Sequence, residues 1–134
     1  MILTPIWEQL LNRSIPCQCG REHFIPIETI IVNEHADRIL MDFINQKGWK
    51  RLLIVGDLQT YPLLGQRLTN LWGGSAQVHI VQGGHPTLRE VEELRQVLLT
   101  AKADGVLAVG GGVVHDIVRF ASFLENRPFI SVPT

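Results

Sequence analysis

Three successive glycines, Gly110-Gly111-Gly112, separate the apolar run Val106-Leu107-Ala108-Val109 from a second apolar stretch that opens Val113-Val114-His115-Asp116. Glycines at such a junction open backbone conformations closed to other residues, and they let a bulky anion approach with no Cβ in its way. If the stretch behind them is helical, its first turn presents N–H groups without intrahelical acceptors. The helix dipole adds positive potential at the same place. Together these features make a seat for a phosphate or diphosphate. A hydrogen bond to a charged oxygen contributes about 1.5–3 kcal/mol, so two or three would dominate anchoring. The candidate cofactor residues are therefore Gly110, Gly111, Gly112, Val113 and Val114, with His115 and Asp116 directly behind. The pattern is not G-x-G-x-x-G, because position 115 is histidine, and no Lys-Ser or Lys-Thr follows to make a P-loop. A tight turn that uses glycine only for its geometry is the competing reading.

Other residues carry weaker signals. Asp57 follows the apolar run Leu52-Leu53-Ile54-Val55 and Gly56. A carboxylate at the end of a strand can accept from the adenine ribose hydroxyls and repel a 2′-phosphate, or it can serve as a turn or cap residue before a helix near Thr60. Asp116 is expected in the first turn of its helix, where a carboxylate suits the dipole, or on the cofactor side. His115 reads as a packing or hydrogen-bonding neighbour of the phosphate seat rather than a general acid. Cys17 and Cys19 are one residue apart, too close for an unstrained mutual disulfide. With His23 they supply three potential ligands, whereas a structural zinc site takes four, with wider cysteine spacing. They are read as reduced thiols. His35, His79 and His85 show no partner pattern and are read as surface or loop residues. No catalytic residue and no metal ligand is assigned within the chain.

The elements that must position these groups alternate. Residues 25–32 (IPIETIIV) read as a strand, with Pro26 at its start or on an edge. Asn33 can cap a helix that runs to about Lys47 and is stopped by Gly48. A strand over 51–56 precedes a helix over Thr60–Trp72, with Pro62 in its first turn and Gly73-Gly74 as its stop. The next strand is Val78–Val81, and Gln82-Gly83-Gly84 turns the chain. Thr87 and Glu90 form a capping box for a helix over about 88–101, which Asp104-Gly105 closes. The strand 106–109 and the helix from about Val113 to Glu125 flank the glycines, and Phe129–Val132 is the last strand. Strands alternating with helices imply an α/β fold: an open, mostly parallel sheet with helices on both faces, Rossmann-like in plan. The chain stops just after a strand, where ligands bind in such sheets, so a further C-terminal portion is expected.

Composition sets the outer limits. The 134 residues fit one domain, with 46% hydrophobic and 19% charged residues in the range of a globular protein rather than a disordered one. A net charge of −1 gives no basic footprint for nucleic acid or an anionic membrane. No apolar run approaches the roughly 18 residues of a membrane span. The opening MILTPIWEQLLNRS lacks the basic start and apolar stretch of a signal peptide, so a cytoplasmic location is expected.

G-G-G-x-x-x-D after a strand, followed by Phe129-Ile130-Ser131-Val132-Pro133-Thr134, resembles the superfamily of dehydroquinate synthases, iron-dependent alcohol dehydrogenases and sn-glycerol-1-phosphate dehydrogenases. His115-Asp116, the S-V-P-T of residues 131–134, and Cys17-Gln18-Cys19-Gly20-Arg21-Glu22-His23 before Ile25-Pro26 are similar to the bacterial glycerol-1-phosphate branch. The resemblance covers nearly the whole chain, from about Cys17. It implies an N-terminal NAD(P)-binding domain over residues 1–134, and reduction of dihydroxyacetone phosphate, a phosphorylated three-carbon substrate. It further implies a divalent metal, zinc or nickel, whose Asp and His ligands lie in a C-terminal domain absent here. On this resemblance Thr134 contacts the nicotinamide side and Asp57 the ribose. A homo-oligomer is compatible with it, and this portion alone is expected to be inactive. Val113 departs from the serine or threonine common at its position and matches dehydroquinate synthases, an NAD-using lyase. His115 contradicts their usual G-G-G-x-x-G-D. A non-catalytic nucleotide-binding fragment is the third reading.

Overall fold

The computed structural model describes residues 6–73 and 75–134. Two compact units divide at Ile39 and Leu40.

The larger unit, 40–134, is built on a four-stranded sheet with the order β4-β3-β5-β6. Its strands are β3 (Arg51–Asp57), β4 (Ser75–Val81), β5 (Gly105–Gly110) and β6 (Phe129–Pro133). Every pairing in it is parallel. The central strands are unbroken apolar runs because both of their faces are covered. Leu53 and Val55 of β3 and Val106 and Ala108 of β5 pack with Leu94 and Leu98 of helix α3 (Leu88–Ala101) and with Ile117 and Val118 of helix α4 (Gly112–Leu124). The intervening Leu52, Ile54, Leu107 and Val109 pack on the opposite face. Their partners there are Leu40 and Ile44 of helix α1 (Ala36–Gln46), Leu68 of helix α2 (Gln66–Leu71) and Trp72. The period-2 alternation of side chains along each strand produces this division.

Local signals explain most element boundaries. The hydroxyl of Thr87 accepts from Glu90 N–H at 3.2 Å, which caps α3. The Glu90 carboxylate reaches back to Thr87, accepting from its hydroxyl at 3.3 Å. The same buried carboxylate also accepts from Gln82 N–H at 2.8 Å, tying the exit of β4 to α3. The helix is closed by Lys102 in the left-handed conformation, ahead of Asp104. Asp104 accepts from Lys50 and Arg51 N–H at 2.7 and 2.8 Å. The segment from Thr60 is helical but begins as one π-helical stretch, Tyr61–Gly65, that contains Pro62. Gly73 follows α2, and Gly74, the other half of the expected stop, lies outside the described residues, as do residues 1–5. His79 sits half-buried in β4 rather than on the surface, and burial lowers its pKa against the opposing pull of Glu93 and Glu90.

The smaller unit holds a two-stranded antiparallel hairpin, β1 (Ser14–Pro16) with β2 (Glu22–Phe24). The strand expected over 25–32 does not form. Asn12 N–H donates to Ile25 O and Ile25 N–H to Arg13 O, so the ladder continues only as far as Ile25. Pro26 has no N–H to extend it, and Ile27 N–H folds back onto Ile25 O at 2.8 Å. Asn33 caps a turn rather than the helix: its side chain accepts from His35 N–H at 2.8 Å, and α1 begins at Ala36. No described residue from 6 to 39 is buried. No helix among the described residues is long and apolar enough to cross a membrane.

Candidate functional site

In open α/β sheets, ligands sit beyond the strands' C-terminal ends where the strand order reverses. Here that point lies between β3 and β5. From β3 the chain leaves through α2 to β4 on one side. From β4 it returns through α3 to β5 on the other side of β3. The helices that follow β3 and β5 pack on opposite faces of the sheet, so the two exit loops diverge around a crevice. The β3 exit carries Asp57 and the β5 exit carries Gly110-Gly111-Gly112.

A hydrogen-bonded knot fixes the β3 exit. Asp57 Oδ1 accepts from Gln59 N–H and Thr60 N–H, each at 2.8 Å, and lies 3.0 Å from the Thr60 hydroxyl. Thr60 Oγ1 lies 2.9 Å from Val109 O, which links the two exit loops across the crevice. Burial opposes ionisation of Asp57, but the donors from Thr60 and Gln59 outweigh it and hold the carboxyl below its ordinary range. The turn role foreseen for Asp57 is thus present in the geometry. Thr60 was not singled out from the sequence as part of the site. The spacing Asp57-x-x-Thr60, a carboxylate followed by a hydroxyl at turn distance, is the signal that points to it.

The three glycines differ from one another. A Cβ on Gly110 would come within 2.8 Å of Val114 Cγ2 and 3.1 Å of Thr60 Oγ1, so internal packing excludes a side chain there. A Cβ on Gly111 or Gly112 would meet nothing within 4 Å. Gly111 is extended (φ −87°, ψ −169°), and Gly112 already belongs to α4. Neither has positive φ. Nothing in the protein's own backbone or packing therefore calls for glycine at 111 or 112.

Helix α4 starts at Gly112 without a side-chain cap on its N-terminal residue. The His115 N–H reaches back to Gly111 O at 3.2 Å. The N–H groups of Gly112, Val113 and Val114 precede that bond and have no carbonyl four residues back inside the helix. Val114 is fully buried and Val113 packs against the core, so these two residues offer the crevice their backbone. His115 Nδ1 lies 2.7 Å from Gly111 O. It must carry the proton to donate there, which holds the glycine loop in place. His115 Nε2 is inaccessible to solvent and has no hydrogen-bond partner. Thr134 N–H donates to Gly110 O at 3.2 Å, which brings the exposed Thr134 alongside the loop.

Asp116 is not in the first turn of α4. The helix begins at Gly112, one residue earlier than the sequence reading placed it, and its first turn holds no acidic residue. Asp116 pairs with Arg119 at 3.0 Å and lines a depression of about 600 Å³ with Pro86, Leu88 and Phe120. A second depression of about 500 Å³ lies beside Gln82, His85 and Arg89. Gly110, Gly111 and Gly112 line neither; unpaired amides and open glycines, not enclosure, mark the crevice.

In the smaller unit the hairpin gathers three residues that the sequence reading set aside as metal ligands. The ligand atoms of Cys17, Cys19 and His23 all lie within 4.8 Å of one another. The N–H of Cys19 and its thiol lower the pKa of Cys17.

A sequence model described as iron-containing alcohol dehydrogenase matches residues 31–134. The chain is 35% identical over 135 residues to "Glycerol-1-phosphate dehydrogenase [NAD(P)+]" of Geobacillus stearothermophilus, a match that covers 95% of this chain and 33% of that protein. It is 36% identical to the protein of the same description from Bacillus subtilis (strain 168), over 82% of this chain and 30% of the relative. The chain thus spans about a third of the length of the curated relatives it matches. Among solved structures, maleylacetate reductase from Agrobacterium tumefaciens superposes with a TM-score of 0.70 at 19% identity, over 78% of this chain and 30% of that one. A 2-deoxy-scyllo-inosose synthase complexed with carbaglucose-6-phosphate, NAD+ and Co2+ superposes with a TM-score of 0.67 at 22% identity, over 75% of this chain and 30% of that one. These two likenesses show the fold.

Proposed function

This chain belongs to the iron-containing alcohol dehydrogenase family, and from that premise we propose that residues 1–134 are the NAD(P)-binding domain of an sn-glycerol-1-phosphate dehydrogenase, which reduces dihydroxyacetone phosphate to sn-glycerol 1-phosphate. The names of its relatives support the substrate. One observation carries the cofactor assignment: Gly111 and Gly112 face open space that the protein does not itself fill, in front of unpaired amides at the start of α4. A diphosphate uses both features, since it needs close backbone approach and N–H donors.

On this reading the N–H groups of Gly112, Val113 and Val114 hold the diphosphate, and Gly110 lets the β5 exit pass close beneath it. Asp57 faces the adenine ribose, which leans toward NAD over NADP. Thr134 meets the nicotinamide side. His115 fixes the Gly111 carbonyl, and Asp116 stands behind the loop. When bound, the reduced nicotinamide supplies the hydride; the chain's own contribution is to bind and orient it. No residue here is assigned to catalysis. The ligands of the divalent metal, zinc or nickel, are assigned to sequence beyond this chain. The exposed pair of thiols and imidazole at Cys17, Cys19 and His23 lacks the carboxylate-and-imidazole character expected of them. The same reading places the protein in the cytoplasm, allows a homo-oligomer and gives this portion alone no dehydrogenase activity. Val113 favours a dehydroquinate synthase-like lyase as the second reading, and His115 counts against it.

The test is titration with NADH, read by energy transfer from Trp7, Trp49 and Trp72 to the dihydronicotinamide. Gly111→Val and Gly112→Val should each weaken binding by about tenfold or more, because the added side chain fills the open space and keeps the diphosphate from the amides, and each hydrogen bond so lost to a charged group is worth about 1.5–3 kcal/mol. Unchanged affinity in folded variants contradicts the assignment.

A further inference from the structure

The smaller unit poses a separate problem. Besides a single 3-10 turn at Ile6–Gln9 and the first residues of α1, it holds a short hairpin and no buried residue among those described, and an isolated two-stranded hairpin is marginal in water. Units that cannot build a core are commonly held by a disulfide or a metal. A disulfide between Cys17 and Cys19 is disfavoured by their spacing, and both are free. We propose that Cys17, Cys19 and His23 form a binding site for a soft divalent cation of the zinc class, which staples the hairpin together.

The geometry supports this in three ways. First, the loop between the strands closes on itself: Cys17 N–H donates to Arg21 O at 3.1 Å and Gly20 N–H to Cys17 O at 3.0 Å. Gly20 takes φ +82°, a conformation that favours glycine. Closure turns the chain so that His23 on β2 returns to the cysteines, with its Nε2 3.1 Å from Cys19 Sγ. Second, Cys19 N–H points at Cys17 Sγ at 3.5 Å, an orientation that favours thiolate, the form that binds metal. Third, sulfur at about 2.3 Å and imidazole nitrogen at about 2.0–2.1 Å from zinc put ligand atoms roughly 3.5–4 Å apart around a tetrahedron, within the observed 4.8 Å limit. Two sulfurs and one imidazole select zinc-like ions over magnesium or calcium. The three residues are exposed, so water completes the fourth position. The sequence offers the same three ligands but no fourth; the hairpin brings the three together across the turn, and water makes up the set. This is the one grouping of three or more such residues among the described residues.

Binding replaces thiol protons, which pass to solvent, so affinity rises with pH. Titration of the chain with Co2+ should give one equivalent of thiolate-to-cobalt charge-transfer absorption, erased by Zn2+. Cys17→Ser and Cys19→Ser should each weaken binding by about tenfold or more, since a group that merely orients a ligand is already worth about 10- to 100-fold. His23→Gln should weaken it similarly while keeping a thiolate band. Absence of the band in the unaltered chain, or an undiminished band in the cysteine variants, overturns the proposal. A second measurement needs no variant. The sequence has two cysteines, both in the site, so iodoacetamide alkylation reads it alone. Zn2+ should slow that reaction by about tenfold or more, because the free thiolate is the nucleophile. An unchanged rate overturns the proposal. Neither assay reads the glycine loop, so its failure leaves the cofactor assignment standing.

Discussion

Residues 40–134 and residues 6–39 are held by different physics. Every buried apolar side chain among the described residues lies at Leu40 or later, in two layers on either face of a parallel sheet. The earlier residues have a hairpin, a closed loop and exposed apolar side chains such as Phe24, Ile27 and Val32. The first region carries a core that fixes the backbone of the glycine loop. The second has no buried residue among those described, only half-buried ones such as Ile15, Ile25 and Ile31. Chemistry follows from this: the cored region offers backbone amides at a rigid helix start, and the coreless region offers side-chain ligands on a turn.

The sharpest break of this contrast comes from truncating one apolar residue in each region. Leu94 is fully buried between α3 and the sheet, while Val32 is 82% exposed. Leu94→Ala should cost about 2–5 kcal/mol in urea unfolding. Val32→Ala should stay within about 0.5 kcal/mol. Similar losses would mean that the two regions do not differ as described.

A smaller effect sharpens the same distinction inside the glycine loop. Gly110→Ala forces a Cβ against Val114 and Thr60, and overpacking of this kind costs about 1–3 kcal/mol. Gly111→Ala has open space and ordinary backbone angles, so its stability should change by less than about 0.5 kcal/mol. Thermal unfolding of the two variants distinguishes the residue that packing requires from the one that a ligand would require. Equal destabilisation removes the distinction.

What the sequence reveals follows the same division. In the cored region, period and punctuation agree. Val106-Leu107-Ala108-Val109 reads as a doubly covered strand because nothing polar interrupts it, and the glycines and Asn126-Pro128 bracket α4. The details that escaped are long-range: Glu90 bonds to Gln82 as well as to its own helix start at Thr87, and Thr60 reaches Val109, contacts that local spacing does not encode. In the coreless region, apolar content misleads. Ile30-Ile31-Val32 looks like a strand, but no strand among the described residues pairs with it, and Pro26 ends the ladder that does exist. The meeting of His23 with Cys17 and Cys19 depends on a turn at Gly20, which a linear count of ligand spacing passes over.

The central claim is that the amides opening α4 receive the cofactor's diphosphate. The most direct measurement is an amide-resolved NMR titration of the 15N-labelled chain with NADH. The account predicts the largest shifts at the N–H groups of Gly112, Val113 and Val114, with Gly111 and Thr60 close behind. Shifts confined to the depression beside His85 and Arg89, with the α4 amides unmoved, contradict it.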